Sequence, residues 1–197
     1  MIKSKLKSFV LVGVLLASTL SSQELEYDTG TFSLVGIEAG YSSLDYENGV
    51  KTDNVQGDES LTHFGLKLGA ETQDFRAFIS GRYFFDSGSK YDYLVTYGGS
   101  LQYKFNVSRA VNLFLGVNGG IANIKFRAEG ENFSRTLQEA YLGGDLGTNI
   151  HLGKLMDLEF GARIMSIQGD NTIKGVTYRV GNIINGYGTL IFKWQMN

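Results

Sequence analysis

The stretch FRAFISGRYFFDSGSKYDYLVTYGGSLQYKF, residues Phe75–Phe105, decides the fold of the chain. On both sides of its centre, the odd-numbered positions are mostly apolar or glycine, and the even-numbered positions are mostly polar. A period of two is typical of β-strands, because successive side chains point to opposite faces. Each alternating run is about 11 to 13 residues long, whereas a soluble strand usually has about 5–6 residues and a tilted membrane-spanning strand needs roughly 9–11. The stretch therefore predicts a transmembrane β-hairpin.

Aromatic residues stand at the ends of these alternating runs, and aliphatic residues or glycine fill the middle. This distribution fits a bilayer, because an aromatic ring is buried at the membrane–water interface while a tyrosine hydroxyl stays in water. Extended over the chain, it predicts an outer girdle made of Tyr41, Phe64, Tyr83, Phe85, Tyr93 and Tyr97. The predicted inner girdle is made of Phe75, Tyr103, Phe105 and Trp194.

Alternation of the same kind recurs along the chain and predicts eight strands, at about 32–46, 61–71, 75–85, 93–105, 111–124, 137–150, 156–167 and 185–195. Three connections are short, and the others are longer or more polar, including Glu47–Ser60, Lys125–Thr136 and Gln168–Gly181. Within the last of these, Val176–Val180 is a candidate extension of a strand above the membrane. Outer-membrane barrels have an even strand number, short periplasmic turns and longer external loops. We therefore expect an all-β protein, an eight-stranded antiparallel up-and-down transmembrane β-barrel in the bacterial outer membrane, with both termini in the periplasm.

Residues 1–22 have the organisation of a secretory signal peptide. Lys3, Lys5 and Lys7 precede an apolar run, Phe9–Ala17, that is followed by small residues. This run is too short for a transmembrane helix, which needs about 20 residues. The barrel would then occupy residues 23–197 and carry a net charge of −5, because the signal holds three lysines and no acid in a chain of net charge −2. The chain has no cysteine, which excludes a disulfide framework and cysteine-based metal sites.

The polar face of the strands separates a membrane barrel from a soluble, lipocalin-like barrel. It consists mostly of Gly, Ser, Thr, Asn and Gln, with single charges of both signs in mid-strand, whereas a soluble exterior is roughly 25–35% charged. Such a face suits the narrow lumen of an eight-stranded barrel, where burial of an unpaired charge is costly. We expect a lumen salt-bridge network formed by Glu38, Lys67, Arg82, Asp145, Glu159, Arg163 and Lys193.

The order of the strands indicates which of these charges meet. Adjacent strands would bring together three pairs: Glu38 with Lys67, Asp145 with Arg163, and Glu159 with Lys193. Arg76 and Lys104 are expected nearer the periplasmic mouth. Such pairs predict a structural plug that fills the barrel. The alternative is a gate, in which a change of partners opens a small ion path.

With these features the chain resembles small bacterial outer-membrane β-barrel proteins of the OmpA-like transmembrane-domain and Opa-like surface-antigen type. The resemblance rests on the signal, the glycine-rich first strand LVGIEAGYS (Leu34–Ser42), the hairpin Phe75–Phe105 and the terminal strand GYGTLIFKW (Gly186–Trp194). It implies a monomer that is surrounded by outer-membrane lipid and lipopolysaccharide and is inserted by the barrel-assembly machinery, with Trp194 standing in for the terminal aromatic residue. It also implies a structural or surface-interaction role, with a host or surface ligand bound by the outer loops.

Two other functions stay open, a small or gated pore and a barrel enzyme that modifies lipid A. The enzyme would need a histidine with a nearby serine and acid, and His63 is the candidate because Glu59 and Ser60 precede it. His151 lies in a predicted turn and is followed by Leu-Gly rather than by a serine. The sequence holds no metal-ligand spacing, phosphate-binding loop or clustered basic face. We therefore expect no metal, no cofactor, no nucleic-acid partner and no enzymatic activity.

Overall fold

The computed structural model describes residues 30–50, 53–86, 91–127, 134–173 and 176–195. These residues form eight strands: β1 Phe32–Val50, β2 Asp53–Glu71, β3 Phe75–Asp86, β4 Tyr91–Asn106, β5 Val111–Arg127, β6 Ser134–His151, β7 Met156–Ile173 and β8 Val176–Gln195. Each strand pairs antiparallel with its neighbours in sequence, and β8 pairs with β1, so the sheet closes into a barrel. The predicted fold class is confirmed. The predicted signal peptide lies outside the described residues.

The alternation of the sequence places apolar side chains on the outside and polar side chains on the inside. Leu66 is 62% exposed and Ile79 is 66% exposed, whereas Lys67 and Arg82 are 1% and 3% exposed. A soluble barrel would show the reverse arrangement. The exterior is therefore the lipid-facing side of a membrane barrel. No helix in the described part of the chain is long and apolar enough to cross a membrane.

The two ends of the barrel differ. One end, which we call the turn end, carries the tight connections 72–74, 107–110 and 152–155 together with the paired residues Phe32 and Gln195. The connections are closed by local hydrogen bonds; the Thr72 amide, for example, donates to the Phe75 carbonyl over 2.8 Å. The other end, the loop end, carries the outer parts of the strand pairs β1–β2, β3–β4, β5–β6 and β7–β8. In β1 and β2 these outer parts are the residues after Leu44 and before Leu61. Function at the two ends can therefore be treated separately.

At the loop end, the segments predicted as loops are largely strand. The predicted loop Glu47–Ser60 is strand as far as Val50 and again from Asp53. Much of Lys125–Thr136 and Gln168–Gly181 likewise belongs to the strands β5 to β8. The prediction of loops was wrong because apolar and polar residues alternate along a strand only where one face of the strand lies in an apolar environment and the other in a polar one. Backbone pairing continues here although these segments are mostly polar at odd and even positions alike.

Pairing at the loop end is not uniform around the barrel. The β2–β3 ladder ends at Leu61 and Asp86, and the β6–β7 ladder ends at Tyr141 and Ile167. The strands between these breaks stay paired, with register shifts in the β1–β8 ladder and in the β7–β8 ladder at the level where the breaks occur. Such irregularities bend strands and increase their twist. Four strands, in the order β2, β1, β8 and β7, thus continue beyond the barrel as one extension, which we call the loop-end sheet.

The aromatic residues of the predicted girdles lie on the outer surface but unevenly around it. Tyr93 is partly exposed, and the other members are at least 40% exposed: Tyr41, Phe64, Phe75, Tyr83, Phe85, Tyr97, Tyr103, Phe105 and Trp194. Seven of these ten residues belong to β3 and β4. Their rings form contacts at both ends of this hairpin, with centroids 4.7 Å apart for Tyr83 and Phe85 and 5.2 Å apart for Phe75 and Tyr103. The flank formed by β5 to β7 presents mainly aliphatic side chains, among them Leu115, Leu142 and Ile164.

Candidate functional site: the lumen of the barrel

A buried carboxylate, Glu38 on β1, is the centre of the lumen network. Its Oε1 atom accepts hydrogen bonds from Arg82 Nε over 2.7 Å and from an Arg163 guanidinium nitrogen over 2.9 Å. Its Oε2 atom lies 2.7 Å from Lys67 Nζ. A lone carboxylate in such a place would be very costly, since it loses its hydration. Three cations from β2, β3 and β7 replace that hydration.

Lys67 connects this centre to a second one. Its Nζ atom also donates to Glu159 Oε1 over 2.8 Å, and Glu159 Oε2 accepts from Arg76 over 3.0 Å. The Arg76 guanidinium also binds Glu71 and lies 3.3 Å from Asp157. An alternating series of cations and anions therefore runs from mid-barrel toward the turn end.

The network reaches solvent only at the turn end, among the described side chains. There Asp157 Oδ1 lies 2.7 Å from His151 Nδ1 and 3.0 Å from Lys193 Nζ, and Lys104 lies 3.3 Å from Glu71. The side chains of His151 and Lys193 are 14% and 10% exposed, whereas that of Glu38 is fully buried. The described network is thus buried in the middle and slightly open at one mouth.

The structure brings together the predicted pair Glu38 and Lys67, but it pairs the other predicted residues differently. Asp145 lies opposite Arg163 in the β6–β7 register, yet Arg163 reaches Glu38, and Asp145 Oδ2 accepts from Gln102 over 2.7 Å. Glu159 binds Lys67 and Arg76 rather than Lys193. In a lumen this narrow, long side chains reach across the axis, so adjacency in the sheet does not decide the partner.

Several members of the network were not predicted from the sequence. Glu71 and Asp157 bind Arg76, and Asn149 donates to Asp157 over 3.1 Å. Their spacing could have identified them. Glu71 lies four residues from Lys67 and Asp157 lies two residues from Glu159, so each is on the lumen face of its strand. Both stand near the turn-end limits of their strands, and the predicted network was restricted to charges nearer mid-strand.

Apolar side chains close the lumen at the loop end. We call this group the apolar layer; it consists of Leu44, Leu61, Phe84, Leu94, Ala122, Ile124, Tyr141, Met165, Ile167 and Ile183. A smaller cluster, Leu34, Phe78 and Ile191, lies nearer the turn end. Phe78, Phe84, Leu94 and Ile191 interrupt the alternation of the sequence, and the reason is that they fill the lumen. The polar network is therefore bounded by apolar packing.

One aromatic ring contacts two cations of the network. The Tyr187 ring has Lys67 Nζ 4.5 Å from its centroid and the Arg163 guanidinium carbon 4.2 Å away. Cations are attracted to the face of such a ring. A Cβ atom added at Gly161 would lie 2.5 Å from this ring, so the glycine makes room for it. Large and small lumen residues thus interlock, as expected in a filled small barrel.

One side of the lumen carries polar atoms without partners. Among the described residues, buried side-chain atoms that lack a hydrogen bond occur on Thr96, Gln102, Asn112, Asn118, Asp145, Arg163, Asn185, Tyr187 and Thr189. All of these residues belong to β4 through β8, and we call them the polar wall. Buried groups of this kind usually bind ordered water. The wall supplies both donors and acceptors, which is the requirement for binding water rather than a single ion.

His63, the candidate catalytic residue, lies in the lumen between a serine and an acid. Its Nδ1 atom is 3.1 Å from Ser42 Oγ, and its Nε2 atom is 3.2 Å from Glu38 Oε1. These partners differ from the predicted Glu59 and Ser60; the side chain of Glu59 is outside the described part of the structure. The distances allow proton transfer between a nucleophile and a base, but all three side chains are 0% exposed. A lipid substrate has no access to a group enclosed in this way.

The described residues contain no group of three or more His, Asp or Glu side chains that could hold a metal ion. The charged groups of the lumen instead neutralise one another, because each carboxylate of the central series contacts at least one cation. Chemically, the arrangement can obstruct and stabilise the barrel.

Solved structures with the same architecture exist in other bacteria. Neisserial surface protein A has a TM-score of 0.60 and 16% sequence identity, with 85% of this chain and 99% of that chain covered. Outer membrane protein H (OprH) from P. aeruginosa, solved in DHPC micelles, has a TM-score of 0.50 and 18% identity, with 82% and 99% covered. Likeness at this identity shows the fold alone. No protein with a curated description matches the chain.

The sequence itself matches a family. The model of the family described as outer membrane protein beta-barrel domain matches residues 12–183, which is most of the chain. The closed eight-stranded barrel, its lipid-facing apolar exterior and its polar lumen agree with that match. The chain therefore belongs to the outer membrane protein β-barrel domain family, whose place is the bacterial outer membrane.

Proposed function

We propose that this protein is a non-conducting outer-membrane barrel that acts through surface interaction at its loop end. The observation that carries the proposal is the double obstruction of the lumen. The apolar layer lies toward the loop end, and the ion pairs around Glu38 and Glu159 lie below it. A hydrated ion would have to displace both, so the lumen serves as a plug that stabilises the wall.

We place the loop end outside the cell and both termini in the periplasm. The tight turns 72–74, 107–110 and 152–155 support this orientation, because short turns face the periplasm in barrels of this kind. The loop-end sheet then projects from the cell surface. In this arrangement the barrel is a monomer in lipid and lipopolysaccharide, inserted by the barrel-assembly machinery, and it offers its projecting strands to a host or surface ligand.

Conductance in planar lipid bilayers tests the plug. The purified, folded protein should give no discrete current steps over the usual voltage range. The gel shift between heated and unheated samples of the same preparation shows that the barrel is folded. Regular steps from the folded wild-type protein would contradict the proposal.

A gated pore is the second candidate, and the polar wall is the observation that favours it. A hydrated wall along β4 to β8 would leave the apolar layer as the main barrier. The double variant Phe84→Ser and Ile183→Ser, which makes that layer polar, distinguishes the two functions. The plug predicts that this variant stays silent, because the ion pairs remain, whereas the gate predicts that it conducts.

A further inference from the structure

The outermost part of β2 pairs on one side only. Residues Asp53 to Glu59 pair with β1 from Val50 to Leu44. On the other side, the ladder between β2 and β3 begins only at Leu61. Within the described part of the chain, no other strand pairs with residues 53–59. We call this segment the β2 edge.

A strand edge of this kind offers backbone hydrogen-bonding groups to a partner. Residues along a strand direct their N–H and C=O groups alternately to its two sides, so about half of the groups of the β2 edge point away from β1. At about 3.4 Å per residue, the seven residues span about 24 Å. An extended peptide can add to such an edge as a further strand.

The adjacent strand β1 has no such availability. The outer part of β1, from Tyr46 to Val50, pairs with β2 on one side and with β8 on the other. Its backbone groups are therefore used. The described part of β3 ends at Asp86, which pairs with Leu61, so no described strand pairs with the β2 edge on the side away from β1.

The sequence of the β2 edge selects the charge of its partner. DNVQGDE holds three acidic residues, Asp53, Asp58 and Glu59, and no basic residue. Pairing of two copies through this edge would bring like charges together, which is destabilising. Acidic residues thus protect the edge against a second copy and attract a cationic strand.

We propose that the β2 edge binds a basic, extended peptide segment of another protein as an added β-strand. The proposal rests on the proposed function, since it requires the loop end to face the outside. It specifies the partner of that surface by two properties. The partner has an extended backbone that is free to donate and accept hydrogen bonds, and it carries positive charge.

The test uses the full protein, folded in nanodiscs, and a fluorescent peptide of about ten residues in which Thr and Lys alternate. The control peptides are the Thr–Glu analogue and the Thr–Lys peptide with an N-methyl group on every residue. Full N-methylation keeps the charge but removes the amide donors of both edges, so the peptide has no unmodified edge to turn toward β2. Fluorescence anisotropy at low salt should show binding of the Thr–Lys peptide and a loss of about tenfold or more in affinity for both controls.

Two pairs of variants locate the site. Asp58→Asn with Glu59→Gln should weaken binding more than Asp45→Asn with Glu47→Gln, which removes the same charge from β1, one strand further from the peptide. Val55→Pro and Gln56→Pro place proline at consecutive residues, whose amides point to opposite sides. The variant in which the lost amide points away from β1 should fold, since proline is tolerated on edge strands, but it should not bind the peptide.

The outcomes are separable. Equal binding of the N-methylated and unmethylated peptides would overturn the added strand and reduce the interaction to charge attraction. The wild-type protein could fail to bind the peptide while giving no current steps in bilayers and exposing its loop end outside the cell. That result would overturn the inference and leave the proposed function standing. Current steps from the wild type would contradict the proposed function whatever the peptide does.

Discussion

The Nζ atom of Lys67 lies 2.8 Å from Oε1 of Glu159, so it joins β2 to β7 across the lumen. β1 and β8 lie between these two strands in the wall. The contact therefore ties together strands that no backbone hydrogen bond connects. Because the same ammonium group lies 2.7 Å from Glu38, its loss would affect both carboxylate centres.

Replacement of Lys67 by methionine should destabilise the barrel strongly. The variant keeps the length of the side chain but leaves two buried carboxylates with fewer cations, which typically costs about 3–5 kcal/mol. Urea titration of the protein folded in lipid vesicles measures the change in the free energy of unfolding. Lys154→Met, at an exposed position of the turn end, is the matched control and should change it little. Equal stability of the two variants would show that the lumen pairs are not a plug.

Gly161 and Gly186 differ in the room that each leaves for a side chain, in the lumen and on the outer surface respectively. A Cβ atom at Gly161 would lie 2.5 Å from the Tyr187 ring, whereas a Cβ atom at Gly186 would meet nothing within 4 Å. We expect Gly161→Ala to cost about 1–3 kcal/mol, because the ring must shift away from Lys67 and Arg163. Gly186→Ala should be neutral or slightly stabilising, by up to about 1 kcal/mol. The temperature at which the folded band disappears on a gel ranks the variants, and the reverse order would refute the packing of Tyr187.

Trp194 is the only tryptophan of the chain and is 48% exposed on the outer surface near the end of β8. At this place it should lie at a membrane–water interface, where tryptophan is favoured. Its fluorescence should be quenched more by lipids brominated near the headgroup than by lipids brominated near the chain end. Strong quenching by aqueous iodide, with no effect of brominated lipid, would place the residue in water.

Single cysteines can establish the orientation, since the chain has none of its own. Asn48→Cys lies at the loop end, and Lys154→Cys lies in a connection at the turn end. A membrane-impermeant maleimide added to intact cells should label the first and not the second. After lysis both should react, which controls for reactivity. Labelling of Lys154→Cys alone in intact cells would reverse the proposed orientation.

The sequence was sufficient for the barrel because the bilayer imposes a simple pattern on each strand. Leu66 and Lys67 illustrate this: neighbours in the chain, they face lipid and lumen respectively. Where that pattern ends, the prediction is wrong: the sequence predicts a loop at Asp53–Glu59, and the segment pairs regularly with β1. The partners of Arg163 were also beyond a strand-by-strand argument, because its long side chain passes the intervening strand β8 to reach Glu38 on β1.

The uneven distribution of aromatic rings has a mechanical consequence. The β3–β4 flank holds ring clusters near both ends of the hairpin, where the predicted girdles would anchor it at the headgroups. The flank of β5 to β7 has mainly aliphatic side chains, which are equivalent at any depth in the hydrocarbon. In a thinner or thicker membrane, the first flank would keep its vertical position while the second slides. The barrel would then respond to membrane thickness by leaning, with the β3–β4 hairpin as its hinge line.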